Sequence, residues 1–329
     1  MRKRFKDCGG FALLLTILII SLIVTLTLQF NTSMRSELYA AANMRDNTRL
    51  NAIAKSGFHY ALAVLYEDAL EAAFDSLLEA WANPLTLSAN SDAMFEEGRF
   101  EVQIMDHSGR IQINKLIHLE GQERGKYNKG QRDLLRRFLA SEQFDLEPEE
   151  VDNLIDAIKD WIDADNEVTK FGAESSYYQT LERPYSCKNA PLEFLEELLL
   201  IRGITRELFY GTKGKPGIAY YLSTQGEGRI NINTANPLVL RSLSEHLDQE
   251  MVEGIIAYRE NEKNDLSERG WYKKVRGMST EVSIDDLITT SSTHFEISSE
   301  GLKDTMSKKV RGLVERKEGA LRILSWRWE

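Results

Sequence analysis

Cysteine and proline are scarce in this chain of 329 residues, with two of the first and six of the second. Cys8 lies close to the N-terminus, so a processed chain would keep Cys187 alone and could form no internal disulfide. With no basic cluster or helix terminus to activate it, Cys187 reads as a small packing residue. Few prolines and 28% charged residues suit a folded body, not a disordered one. Positive charge is also short: 41 Lys and Arg stand against 51 Asp and Glu, a formal net charge of −10. An acidic body repels polyphosphate over the Debye length, so nucleic acid is disfavoured as a partner.

Catalytic constellations are missing too. His59, His107, His118, His246 and His294 form no paired metal motif, and no glycine-flanked serine or phosphate loop occurs. Asp106-His107-Ser108 has the residue types of a triad, but in consecutive positions; triads are assembled in space, so this reads as a turn. The expectation is a protein that catalyses no reaction.

Long apolar runs are absent except at the start of the chain. There Arg2, Lys3, Arg4 and Lys6 lead to Gly9-Gly10, and an uncharged apolar stretch runs from Phe11 to Leu28. Its length is close to the roughly 20 residues that a bilayer helix needs. A secretory signal places its small cleavage residues after the apolar core, whereas here they precede it. Cleavage at Gly10 would therefore leave the apolar helix on the mature chain. Removing residues 1–10 takes away four positive charges and Asp7, leaving a net charge of −13. An uncleaved signal anchor is the plainer alternative; in both cases the basic end stays in the cytoplasm and the bulk lies outside.

This junction resembles the leader of type IV pilins and pseudopilins. The resemblance implies that a prepilin peptidase cuts after Gly10 and that Phe11 is methylated. Most members carry a glutamate at the fifth mature position, thought to neutralise the amino terminus of the subunit already added to the fibre. Leu15 stands there in this chain, followed by Thr16. A subunit that starts the fibre has no neighbour above it to neutralise, so Leu15 hints at a tip position; a divergent leader would show the same substitution.

Past Leu28 no helix breaker occurs until Gly57, and small and apolar residues continue to Leu78 ahead of a stop signal at Asn83-Pro84. One long stalk helix, bent near Ser56-Gly57 if at all, would span about 100 Å. Segments 99–105 and 110–117 alternate at period two about an Asp106–Gly109 turn, the pattern of a β-hairpin. From Gln131 to about Gly211 the pattern is helical. Val151, Leu154, Ile155, Ile158 and Ile162 recur at helix spacing, and a further helix is expected from an Asn189 cap to Gly203. No regular helix is expected directly after Glu174. Strand character returns at 218–224 and 229–233, a second helical insert covers 237–287, and the tail from His294 to Trp328 is strand-rich.

The expected organisation is therefore a leader at 1–10, a transmembrane segment at 11–30, a stalk helix with first strands at 31–119, an inserted helical domain at 120–217, and the remaining sheet with a small helix-hairpin-helix-like insert at 218–329. The fold class is α+β, a long N-terminal helix packed on an antiparallel sheet with a large all-helical insertion.

Several segments carry a closer resemblance. Asp160-Trp-Ile-Asp-Ala-Asp-Asn-Glu, Gly172-Ala-Glu with Tyr177 and Tyr178, Lys188-Asn-Ala-Pro-Leu, Arg202-Gly203 and Ile230-Asn-Ile-Asn-Thr-Ala resemble the type II secretion minor pseudopilin family GspK. The likeness extends to the missing glutamate at Leu15. It implies an inner-membrane subunit with a periplasmic C-terminal domain, placed at the pseudopilus tip with GspI and GspJ, GspH below them, and the helical insert toward secretin or exoprotein cargo.

Asp163, Asp165, Glu167, Thr169, Phe171 and Glu174 follow the ligand spacing of an EF-hand loop, and Ca²⁺ favours such gathered oxygens. Val168 stands where that loop requires glycine. By spacing alone, a solvated acidic loop at a helix end reads equally well. The resemblance favours structural Ca²⁺ held by Asp163, Asp165, Glu167 and Glu174, with Asp160 a further candidate. The rival function is DNA uptake through Ile230–Ala235 and Leu200–Ile204, which resemble helix-hairpin-helix modules. The intervening Ser244–Glu250 is acidic and lacks glycine, a poor phosphate cradle. A signal-anchored periplasmic adaptor is the remaining alternative.

Overall fold

A computed structural model describes residues 9–71, 73–317 and 319–329. Helix α1 runs unbroken from Gly9 to Glu71. Its first part is long and apolar enough to cross a membrane, and none of its most apolar stretch is buried by the other described residues. The hydroxyls of Thr16, Ser21, Thr25 and Thr27 donate to carbonyls three or four residues back, so the apolar span satisfies its own polar groups. Farther along, Leu50, Ile53, Ala54, Phe58, Ala61 and Leu65 recur at helix spacing and are buried. The helix continues through Gly57 without a break. A Cβ there would lie 2.8 Å from the Phe100 ring, so this glycine lets the sheet approach the helix.

The helix ends before Asn83-Pro84, which proves to be a start signal. Asn83 Oδ1 accepts from the amides of Leu85 and Thr86 and opens the short helix α2 (Pro84–Ser88). Strand β1 (Arg99–Asp106) follows, but the expected hairpin does not form. Its partner is a strand near the C-terminus, because the half-buried Asp106 side chain is claimed at the turn: Oδ1 accepts from Ser108 N at 2.7 Å, and Oδ2 from Ser292 Oγ at 2.6 Å and Thr234 Oγ1 at 2.5 Å. These bonds draw the chain out of the sheet. Only Ile111–Gln112 then forms strand, β2.

The helical body contains α3 (Lys129–Leu139), α4 (Pro148–Ile162), α5 (Ser175–Tyr178) and α6 (Arg206–Tyr210), and then a small hairpin of β3 (Gly211–Thr212) and β4 (Lys215–Pro216). The strand character expected at 218–233 shrinks to β5 (Leu222–Ser223) and β6 (Ile230–Asn231), neither in the main sheet. Helices α7 (Pro237–Ser242) and α8 (Gln249–Arg259) follow, capped by Asn236 and Asp248. Strand β7 (Ile288–Thr289) pairs parallel with β6, as β5 does with β2. No α-helix runs from Asn189 to Gly203; Asn189 is left-handed and only Leu195–Leu200 coils, as a 3-10 turn.

The main sheet is completed by β8 (His294–Lys303), β9 (Met306–Lys317) and β10 (Ala320–Trp328), in the antiparallel order β1-β8-β9-β10. Two cores result. One holds Phe58, Phe100, Ile297 and Val314 between α1 and the sheet; the other spans Ile111 to Ile288 in a single cluster. The two helical inserts expected from the sequence thus share one core.

Candidate metal centre

Helix α4 positions the acidic loop. Its apolar stripe buries Val151, Leu154, Ile155 and Ile158, yet the opposite side of the helix buries Asp156 and Asp160. Burying carboxylates is costly unless each finds donors. Asp156 accepts from Tyr127 Oη at 2.5 Å and from Phe171 N at 3.2 Å, while Asp160 accepts from Thr169 N at 3.1 Å on both oxygens. The returning loop therefore drapes over these two side chains. A Cβ at Gly172 would collide with the Asp160 carboxylate, so glycine is required where the loop crosses it.

Asp163 ends α4 and Glu174 opens α5, which starts directly after the loop where no regular helix was expected. Both side chains are buried, Asp165 is exposed, and one oxygen from each of the three lies within 4.8 Å of the others. Lys159 Nζ donates to Asp163 Oδ2 at 2.5 Å and to Thr169 Oγ1 at 2.8 Å. Among the described residues, Asp163 Oδ1 and both carboxylate oxygens of Glu174 have no hydrogen-bond partner. Burial, reinforced by the charges of Asp160 and Asp163, pushes the Glu174 carboxyl up to about 7. Burial also raises Asp163, against the opposing pull of Lys159, and takes Asp160 up to about 6.

Of the five expected ligands the structure gathers Asp163, Asp165 and Glu174. Glu167 is exposed and stands outside this group; its amide donates to Asp165 Oδ1 at 2.8 Å, so it shapes the loop through its backbone. Asp160 is likewise outside it, its oxygens turned to the Thr169 amide. Asn189 was missed as a loop residue. Its side chain donates to the Asp165 carbonyl and to Asn166 Oδ1, a cross-chain brace that a helix-cap pattern conceals. Cys187 is buried beside the site, its thiol donating to the Asp160 carbonyl at 3.3 Å, and burial pushes it up to about 12.

The other motifs have structural roles. Asn231 Nδ2 donates to Asp75 O at 3.1 Å and Ser292 Oγ at 2.7 Å, and Asn233 bridges Leu266 O, Thr290 O and Trp271 Nε1. The Ile230–Ala235 segment therefore ties the two cores together and turns its amides inward. His107 sits buried in its turn, with Nδ1 3.1 Å from Ser223 Oγ. At the other end of the molecule Phe11 and Leu15 are exposed on the apolar rod. Residues 1–8, most of the expected leader, lie outside the described residues.

A long apolar rod packed on an antiparallel sheet, with a helical body inserted between its strands, is the architecture of a pseudopilin. Residues 109–211 match the family described as Type II secretion system (T2SS), protein K. The chain is 26% identical to type II secretion system protein K of Pseudomonas aeruginosa, over 96% of this chain and 92% of that protein. It is 27% identical to the Aeromonas hydrophila protein of the same name, over 70% and 68% respectively. Its fold matches a chain in the crystal structure of the GspK-GspI-GspJ complex from enterotoxigenic Escherichia coli, with a TM-score of 0.65 over 88% of this chain and 99% of that one, at 14% identity. These likenesses together support a minor pseudopilin of the type II secretion system, similar to protein K.

Proposed function

We propose that this subunit starts and caps the type II secretion pseudopilus, a short periplasmic fibre whose growth drives folded proteins through the outer-membrane channel. Leu15 carries this reading. It lies on an exposed, uncharged rod where a subunit inside the fibre would present a carboxylate to the neighbour above. The similar solved chain belongs to a complex with GspI and GspJ, which supports those two as neighbours here, with GspH below. The rod serves first as a single inner-membrane anchor, with the C-terminal body in the periplasm, and later packs among the other stalks. Prepilin peptidase cuts after Gly10 and Phe11 is methylated. The helical body faces secretin or cargo. The subunit's role is assembly and not catalysis, which the neutral, buried Cys187 thiol supports.

Asp163, Asp165 and Glu174 would hold Ca²⁺, and the partnerless oxygens of Asp163 and Glu174 support that fit. The ion would supply the positive charge that Lys159 alone does not, pinning α4, the loop and α5 together. Asp160 and Glu167 position the loop.

N-terminal sequencing of the membrane-extracted protein, together with co-purification with GspI and GspJ, tests the function. The expected results are an N-methylated Phe11 and a stable complex. A start at Met1, or a monomer indifferent to both partners, would overturn it.

A further inference from the structure

The two edges of the main sheet are treated differently. The β1 edge is covered: Val102 N donates to Ser88 Oγ at 3.0 Å, and Phe100 O accepts from Ser91 Oγ at 2.9 Å. Natural sheets protect their edges in this way because a bare row of amides and carbonyls pairs with any extended chain. The β10 edge has no such cover. Its nine residues pair only with β9, and none of them is buried.

The side chains on β10 are also uneven. Ile323, Trp326 and Trp328 stand opposite Val314, Gly312 and Val310, and opposite residues share a face, so all three point to the α1 side of the sheet. Val310 and Val314 are fully buried there, whereas Ile323 and Trp328 are 41% and 43% exposed. Trp326 is the last residue seated on the helix, with its ring 4.4 Å from Phe58. The head core therefore runs out sideways into solvent along β10. On the opposite face Arg322 and Arg327 project; Arg327 meets Glu329 at 3.3 Å and Glu196 at 3.9 Å, which leaves Arg322 as the cation without an acidic partner among the described residues, and β10 itself carries no acidic residue.

We propose that the free edge of β10 takes up an extended strand from a different subunit, with an acidic residue beside Arg322 and apolar residues beside Ile323 and Trp328. Strand addition of this kind draws affinity from main-chain hydrogen bonds and specificity from alternate side chains. A second copy of β10 is a poor occupant, since it would bring two arginines and no acid. This inference rests on the fibre-subunit reading above and adds the surface through which one neighbour attaches.

The test is amide hydrogen exchange on the full chain in detergent, alone and assembled with GspI and GspJ, beside the variant Ile323→Lys. Assembly should slow exchange in 320–328 at least tenfold, and Ile323→Lys should weaken co-assembly at least tenfold while barely moving the chain's own melting temperature. A complex that forms with unchanged exchange in 320–328 would overturn strand addition and leave the tip assignment standing. Protection that appears in the chain alone and rises with its concentration would replace the foreign strand with a second copy. Failure of any complex to form would remove both readings.

Discussion

Two acidic clusters in this chain look alike on paper and differ in kind. Asp68, Asp75 and Glu79 gather as closely as Asp163, Asp165 and Glu174. In the first group Arg316 reaches both aspartates, at 2.8 Å to Asp68 and in closer contact with Asp75, while Ser292 N donates to Asp75 and Trp81 Nε1 to Glu79. In the second, three carboxylate oxygens have no donor. Acid count does not separate an internal ion-pair knot from a cation site; unmet hydrogen-bonding capacity does.

Removing the cation from the first cluster is the hardest blow to that contrast. Arg316→Ala leaves Asp75 buried without its counter-charge, and the cost should be about 3–5 kcal/mol by urea unfolding. Added Ca²⁺ should restore nothing; rescue by the ion would mean that the two clusters are equivalent.

The second cluster should respond in the opposite way. Stripping divalent ions with chelator should lower the melting temperature, by an amount equivalent to about 2.7 kcal/mol where the ion had been present at a hundred times its Kd. The double variant Asp165→Ala with Glu174→Ala should show no chelator effect, and a persisting one would place the ion elsewhere. Asp160→Asn should cost about 1–3 kcal/mol, because a buried acceptor of the Thr169 amide is altered. That loss should be equal with and without the ion, since Asp160 acts on the loop backbone; a loss confined to the ion-loaded protein would make it a ligand.

Acidity touches both clusters, because burial lifts Glu79 in the first as it lifts Glu174 in the second. Burial lifts Glu79 from 4.5 to about 7 in the folded chain. The folded state then holds a proton that the unfolded state has released, so stability falls as pH rises from about 4.5 to 7 and levels off above that. With solvent screening the change should be about 1 kcal/mol. Glu79→Gln should reduce this slope and leave the share that Glu174 contributes over the same window; an unchanged slope would assign it to Glu174 and its neighbours.

Much of this was legible in the residues. The apolar rod, the recurrence along α4, the tail strands and the acidic spacing follow from local pattern, because helix period, strand period and ligand spacing are properties of neighbours in sequence. Errors arose where a distant partner decided. The period-two pattern of 99–105 and 110–117 fits a hairpin, but Ser292 and Thr234 claim Asp106 and turn the chain away. Asn83-Pro84 and Asn189 carry cap chemistry, yet one opens a helix and the other clasps a loop. Among the acids, spacing offered Glu167 as readily as Glu174, with Asp160 a further candidate on the preceding helix; only burial and the direction of each oxygen told them apart.

The order of strands has a consequence for biogenesis. β1 leaves the ribosome early, but its neighbour β8 closes on it through contacts such as Ser292 to Asp106, 186 residues apart in sequence. Long loops slow such closure, and until it occurs the buried side of α1 and β1 has no lid. The newly made polypeptide must therefore wait with a greasy seam open to chaperones and proteases until its final segment arrives. Early termination anywhere before β8 would leave an unfinished head, a natural substrate for protein quality control.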